Sequence, residues 1–335
     1  MKKRNKYFKV GYWIFVCAVL CTGCSKERST EERIAVEDAK EEIKEGKKEQ
    51  QEIESGNVSS EENTKDMEDD TEDMAAEPEI TQADWSEYFN GLNGTAVIYD
   101  ASDRHYTIYN DELAADRRSP CSTFKIISSL TALEHGILVP EDSARKWSGE
   151  VFWNEDWNKD IDFSEAFRTS CVWYYRQLID DIGQDRMQKE LEKLQYGNCD
   201  ISDWEGQLNA NNNNRALMGF WIESSLLISP KEQTEVMERI FGENSEYSEE
   251  TQHELKQVML VTEQEQTDIL IYGKTGMGKV DGIVIDAWFT GFAETTEGKL
   301  YFCVRLGRTD GMNVSSPLAK EIAIQIVSDY DIRYN

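Results

Sequence analysis

Histidine is scarce in this chain of 335 residues, which has only His105, His135 and His253. No two of them sit at metal-ligand spacing and there is no H-E-x-x-H, so a catalytic zinc site is not expected. The glycines form neither a Walker loop nor a dinucleotide fingerprint, which removes the common phosphate cradles. Positive charge is short as well. The formal net charge is -29, and an acidic chain repels phosphates, so the electrostatic footprint of a nucleic-acid binder is missing. The imbalance is local: residues 25–84 hold about 22 acids against about 8 bases, a net of about −14 and half the total excess. That stretch also lacks aromatics and cannot bury enough apolar surface to offset its ordering entropy.

What is present begins with an address. Lys2, Lys3, Arg4, Lys6 and Lys9 make a basic n-region, residues 10–20 are an apolar run, and Cys21-Thr22-Gly23-Cys24 follows. This reads as a secretory signal over 1–23, too short and too poorly flanked for a transmembrane helix. The small residues before Cys24 resemble a bacterial lipobox, in which that cysteine is lipidated and becomes the new N-terminus. Cys21 stands where such signals usually carry Leu, so an uncleaved anchor is the alternative. Either way the rest of the chain lies outside the membrane, and the lipobox puts it on the outer face of the cytoplasmic membrane. Residues 24–84 then form an acidic tether, with a solvated helix available to the Glu/Lys pairs of 31–51. A docking segment for a basic partner is the other reading, without a specific signal.

Residues 85–335 read as the folded domain, long enough to bury a substantial core. A first helix is expected at 85–89, then strands at 94–100 and 106–109 joined by a turn. Helical periodicity covers 123–135, 163–182, 186–194 and 230–241. Strands return at 269–273, 283–293 and 299–306, and a helix closes the chain over 316–330. This order predicts an α+β fold: one mixed, mostly antiparallel sheet completed by both ends of the chain, flanked by helices, with the helical middle as a second lobe. A small ligand would sit between sheet and lobe.

Three short motifs carry chemistry. The first is Ser119-Pro120-Cys121-Ser122-Thr123-Phe124-Lys125. Ser119 and Pro120 suit a helix start, Ile126, Ile127, Leu130 and Leu133 mark its buried face, and Gly136 ends it. Ser122 and Lys125, three apart, share one face. A serine hydroxyl needs an adjacent base, and lysine serves only when kept uncharged. A second S-x-x-K, Ser143 to Lys146, precedes no apolar run and reads as accidental. The second motif is Ser170-Cys171-Val172, whose hydroxyl could shuttle a proton to a leaving nitrogen. The third is Lys274-Thr275-Gly276 at a strand end, suited to a substrate carboxylate. Each alone is weak: a surface serine, an uninformative tripeptide, a turn.

Together and in this order, spaced by about 48 and then about 104 residues, they resemble the penicillin-recognising serine enzymes. Tyr196-Gly197-Asn198, the stretch from Phe220-Trp221-Ile222 to Ile228-Ser229, and Trp288-Phe289-Thr290-Gly291 narrow this to a resemblance to class D β-lactamases, covering residue 93 to the C-terminus. Tyr99-Asp100, Tyr109-Asn110-Asp111 and the Ser119 to Lys125 segment fit the same arrangement. The resemblance implies hydrolysis of a small-molecule β-lactam through an acyl-serine. Ser122 would be the nucleophile, and Lys125, carboxylated by carbon dioxide, the general base; no other cofactor and no metal is implied. Phe124, Val172, Trp221 and Ile222 would wall the lysine, and Trp221 would donate its indole N–H to the carbamate. Ser170 would relay the proton, and Lys274, Thr275 and Gly276 would orient substrate, with Lys274 raising the local positive potential. The backbone N–H groups of Ser122 and Met277 would form the oxyanion hole.

Many class D enzymes bind the substrate carboxylate with an Arg near the final helix. Ala319 stands there in this chain, leaving Arg308, Arg305 or Lys320 as substitutes. Cys121, Cys171, Cys199 and Cys303 could pair in an exported setting, although small buried thiols are the expected role. Three other readings compete: a β-lactam sensor that acylates without turnover, a peptidoglycan transpeptidase or carboxypeptidase, and a non-catalytic binder. The Y-G-N and F-W-I elements weigh against the second, and the intact Ser122, Lys125, Ser170 and Lys274 against the third. The sequence leaves oligomeric state and preferred β-lactam open. The lipobox makes a direct prediction: cells fed radioactive palmitate should label the wild-type chain, and label retained by Cys24→Ala would remove it.

Overall fold

A computed structural model describes residues 77–207, 214–261 and 269–334, without the side chains beyond 330. The chain divides into two units, Met1–Met74 and Ala75–Asn335. The signal segment, Cys24 and the tether up to residue 76 lie outside the described residues.

In chain order the elements are β1 (Glu79–Gln82), α1 (Ser86–Phe89), β2 (Gly94–Asp100), β3 (His105–Tyr109), α2 (Asp111–Ala115), and a 3₁₀ turn at Cys121–Phe124 that runs into α3 (Lys125–Glu134). The lobe follows with α4 (Phe163–Arg168), α5 (Val172–Ile182), α6 (Gln184–Leu194), α7 (Pro230–Phe241) and α8 (Glu249–Met259). β4 (Leu270–Val280), β5 (Ile283–Glu294), β6 (Lys299–Gly307) and α9 (Ser316–Tyr334) complete the chain. The sheet has six strands in the order β1-β3-β2-β6-β5-β4, antiparallel throughout except for the parallel β1–β3 pair. The two ends of the chain meet where β2 pairs with β6, Gly94 opposite Leu306 through Asp100 opposite Leu300. This is the expected α+β architecture.

Alternation of side chains along the strands divides the core. Phe302, Val304 and Leu306 of β6 pack on Ile322, Ile326 and Val327 of α9. On the other face Tyr301 and Phe292 join the core of the lobe, where the Phe292 ring lies 4.3 Å from that of Phe241 on α7. The β-hairpin of β2 and β3 turns at Asp100, whose carboxylate accepts both the N–H and the hydroxyl of Ser102. α7 starts at a capping box in which the Ser229 hydroxyl takes the Glu232 N–H and the Glu232 side chain takes the Ser229 N–H.

Several boundaries differ from expectation. The tether does not run to residue 84, because Glu79–Gln82 already form β1 against β3. That strand is exposed at every position, so no burial pattern marks it. The helix expected over 163–182 is two helices, broken where Ser170 takes a left-handed φ of 59°. β4 continues well past residue 273, so Lys274-Thr275-Gly276 lies inside a strand and not at its end. Two helices went unforeseen. α2 is short and capped by Asn110; α8 buries only Thr251, Leu255 and Met259, too sparse an apolar stripe to register as a period.

Gly291 of the Trp288 to Gly291 element explains one motif structurally: a Cβ there would lie 1.8 Å from the Tyr272 carbonyl oxygen. β4 and β5 can pair at normal spacing only with glycine at that position. Gly291→Ala is therefore expected to cost about 3 kcal/mol of stability, seen as a lower urea midpoint with the slope unchanged.

Candidate active site

Ser122 sits in the 3₁₀ turn, one residue after Cys121, whose φ of 49° is left-handed. Lys125 opens α3 and is 1% exposed. Its Nζ donates to Ser122 Oγ at 2.9 Å and lies 5.1 Å above the Tyr175 ring. Tyr175 is itself fixed by a 2.9 Å hydrogen bond to Ser129. Burial pushes the Lys125 amine down to about 8, against small opposing effects of the Cys171 and Cys121 thiols. Desolvation disfavours the ammonium, and no carboxylate is among the groups that act on it. A neutral amine beside the hydroxyl is what base-assisted nucleophilic attack requires.

Ser170 enters from the break between α4 and α5. Its left-handed backbone is held by its own N–H to Phe167 and by the Cys171 N–H to Ala166, at 3.2 and 2.8 Å. Lys274 of β4 donates to Ser170 Oγ at 3.2 Å and also to the Thr275 carbonyl. It is 5% exposed. Burial first, then the nearby Lys125 and Lys320 charges, hold its pKa well below the usual lysine range. Burial therefore weakens the positive charge expected at Lys274, while its hydrogen bond keeps the amine against the Ser170 hydroxyl.

These groups border a cleft of about 470 Å³. Ser122, Ser170, Val172, Ile222, Thr275, Gly276 and Met277 all line it. Lys125, Lys274 and Trp221 stand behind that surface, each buried. Gly276 permits the close approach of strand and nucleophile turn, since a Cβ there would come within 2.9 Å of the Pro120 carbonyl oxygen.

Trp221 is 1% exposed and braces the nucleophile turn from behind. Its carbonyl accepts the Cys121 N–H at 2.9 Å and the Ser119 hydroxyl at 3.0 Å. Its ring lies between Phe124, stacked at 6.2 Å, and the Arg176 guanidinium at 5.4 Å. Ser119 is thus not the helix cap expected of it; its hydroxyl ties two loops, accepting the Glu223 N–H as well. The Y-G-N element is also structural. Asn198 exchanges hydrogen bonds with Leu227 and Ser225, and a Cβ on Gly197 would fall 2.0 Å from the Leu227 carbonyl.

Arg308 does not face the cleft. Its Nε pairs with Asp310 at 3.1 Å, and the side chain is exposed. Arg305 is committed too: it is 3% exposed and bound to Asp286 at 3.0 Å and Asp116 at 3.1 Å. The substrate-binding role assigned to Arg308 is withdrawn on this geometry. Lys320 is close enough to depress Lys274. Trp153, Trp157, Leu217, Glu223, Lys279 and Ser316 line the cleft without having been anticipated. None belongs to a motif that carries chemistry by itself, and only folding brings them together. The four described cysteines are free thiols. Burial pushes Cys121 and Cys303 up to about 12 and Cys171 up to about 11, so they act as inert packing.

Residues 90–328 match the family described as the penicillin binding protein transpeptidase domain. The chain belongs to that family. This transpeptidase-family domain is 31% identical to the probable beta-lactamase YbxI of Bacillus subtilis, over 76% of this chain and 86% of that protein. It is 30% identical to the regulatory protein BlaR1 of Bacillus licheniformis over 73% of this chain, but spans only 38% of BlaR1. Among solved structures, the C-terminal domain of the Bacillus licheniformis BlaR penicillin-receptor superposes with a TM-score of 0.65 at 28% identity, over 76% of this chain and 98% of that one. A class D beta-lactamase from Bacillus subtilis gives 0.63 at 31% identity, over 73% and 94%.

The Lys125 pKa sets an expected pH dependence for this transpeptidase-family site. The base is the neutral amine, so its population grows as pH rises through about 8. In carbon-dioxide-free buffer, labelling of Ser122 by a fluorophosphonate should increase across that range, read by intact mass. Lys125→Met should stay unlabelled at every pH.

Proposed function

We propose that this domain opens β-lactam rings at Ser122 and hydrolyses the resulting acyl-serine. The observation that carries the reading is the buried Lys125 amine, 2.9 Å from the Ser122 hydroxyl and depressed to about 8. Ser122 Oγ would attack the lactam carbonyl, its proton leaving toward the Lys125 position. The C–N bond would break, with Ser170, bonded to Lys274, returning a proton to the nitrogen. Backbone N–H groups of Ser122 and Met277 would take the developing oxyanion. Water would then cleave the ester and restore Ser122. Thr275 on the cleft wall would meet the substrate carboxylate, with Lys320 as the nearby cation in place of an arginine.

Carboxylation of Lys125 belongs to this reading. Only a neutral amine adds carbon dioxide, and the desolvated lysine walled by Phe124, Tyr175 and Trp221 fits that requirement. The bound group would supply an anionic oxygen base that stays deprotonated at neutral pH, where the amine itself is largely protonated. Trp221 would donate its indole N–H to it. A lipidated Cys24 and its acidic tether would hold the domain at the outer face of the membrane.

A second reading has its own support. The BlaR receptor domain superposes as well as the class D enzyme, at 0.65 against 0.63, which favours a sensor that is acylated and hardly turns over. A chromogenic cephalosporin separates the two. Hydrolysis is expected to continue at a steady rate, to be lost at mildly acidic pH and to return on adding bicarbonate. A single stoichiometric burst without a steady phase would establish the sensor, and indifference to bicarbonate after acid treatment would remove the carbamate.

A further inference from the structure

β4 ends the strand order, paired with β5 along one edge, while its other edge carries a bridge from Leu260 to Tyr272 near its start. That edge then passes the nucleophile turn at Gly276. A free strand edge is a template onto which an extended chain can add. Along a strand, N–H groups two residues apart leave the same edge, as those of Met277 and Lys279 do here. The Lys279 N–H donates to the Glu223 carboxylate, beside the register shift between Gly278 and Lys279. A left-handed φ of 51° turns Glu223 toward β4, and its own N–H to Ser119 Oγ, at 2.8 Å, holds it there. Glu223 and Lys279 both line the cleft.

We propose that Glu223 is a specificity-determining stop on the outer edge of β4, occupying the Lys279 N–H so that substrate backbone can add only as far as Met277. A compact acylamino side chain fits within that length. An extended peptide arm does not, because its next carbonyl finds the donor already taken. The stop therefore favours β-lactams with short side chains over substrates carrying a peptide stem. It rests on the reading of Ser122 as a nucleophile toward β-lactams, and it leaves the bond changes at Ser122 the same for both kinds of substrate.

Two penicillins with one nucleus test it, the first bearing a phenylacetyl arm and the second an uncharged acetylated valylglycyl arm. Acylation rate constants are compared for the full-length wild-type protein, Glu223→Gly and Glu223→Gln. Glycine suits the left-handed backbone without strain. Removing the carboxylate should raise the ratio of peptide-armed to short-armed rates roughly fivefold, the worth of one hydrogen bond. Glu223→Gln, whose amide oxygen can still accept the Lys279 N–H, should keep the wild-type ratio. Should Glu223→Gly fail to fold, Glu223→Asn, one methylene shorter and tolerant of positive φ, gives the same comparison. An unchanged ratio in the glycine and asparagine variants, or an equal rise in Glu223→Gln, would overturn the stop. A wild-type protein acylated by neither penicillin would overturn the nucleophile reading and the stop with it.

Discussion

The hydrogen bond from the desolvated Lys125 amine to the Ser122 hydroxyl is the contact on which the site depends. Burying an ammonium without a counter-charge costs several kcal/mol, and the surroundings of Lys125 supply none. Burial lowers the Lys125 pKa to about 8, so the neutral amine gains population as pH rises toward and past that value. The aromatic wall serves this end. The buried Tyr175 ring lies 5.1 Å from the Lys125 Nζ, and Phe124 and Trp221 belong to the same buried core. Lys274 is desolvated in the same way beside Ser170, so two buried amines, each with a lowered pKa, are hydrogen-bonded to two hydroxyls of one cleft.

Holding those groups requires backbone that most residues avoid. Cys121, Ser170 and Glu223 have φ values of 49°, 59° and 51°, each costing of order 1 kcal/mol outside glycine. All three border the cleft. Each is pinned by hydrogen bonds from neighbouring elements: Cys121 to the Trp221 carbonyl, Cys171 beside Ser170 to Ala166, Glu223 to Ser119. Trp221 and Ser119 therefore work mainly through their hold on the nucleophile turn. The lobe is where this local strain is offset, through the large apolar core that it shares with β4, β5 and β6.

Charge that does not serve the cleft is spent on structure. Arg305 joins Asp286 and Asp116 in a buried cluster under the sheet. Burial raises the Asp286 pKa despite that partner. The guanidinium also lies 5.5 Å above the Trp288 ring, so it is fixed on several sides and unable to reach a ligand. Arg308, in turn, pairs with Asp310 at the exposed surface and is not among the residues that line the cleft.

The sequence by itself determined the α+β order, most helices and strands, and which motifs carry the candidate site residues. Periodicity records which faces are buried, and Ser122, Lys125, Ser170 and Lys274 stand in motifs whose spacing is carried by the chain. Gly291 and Ser229 entered only as parts of the class D resemblance, and their close strand approach and helix cap came from the structure. Tertiary structure alone decided which side chains face the cleft. It turned Arg308 away, set Glu223 against Lys279, and placed Trp153 and Leu217 on the wall, because such contacts join residues far apart in sequence that leave no local period. It also decided that Lys274 is desolvated, since burial is a property of everything packed around a group and not of its neighbours along the chain.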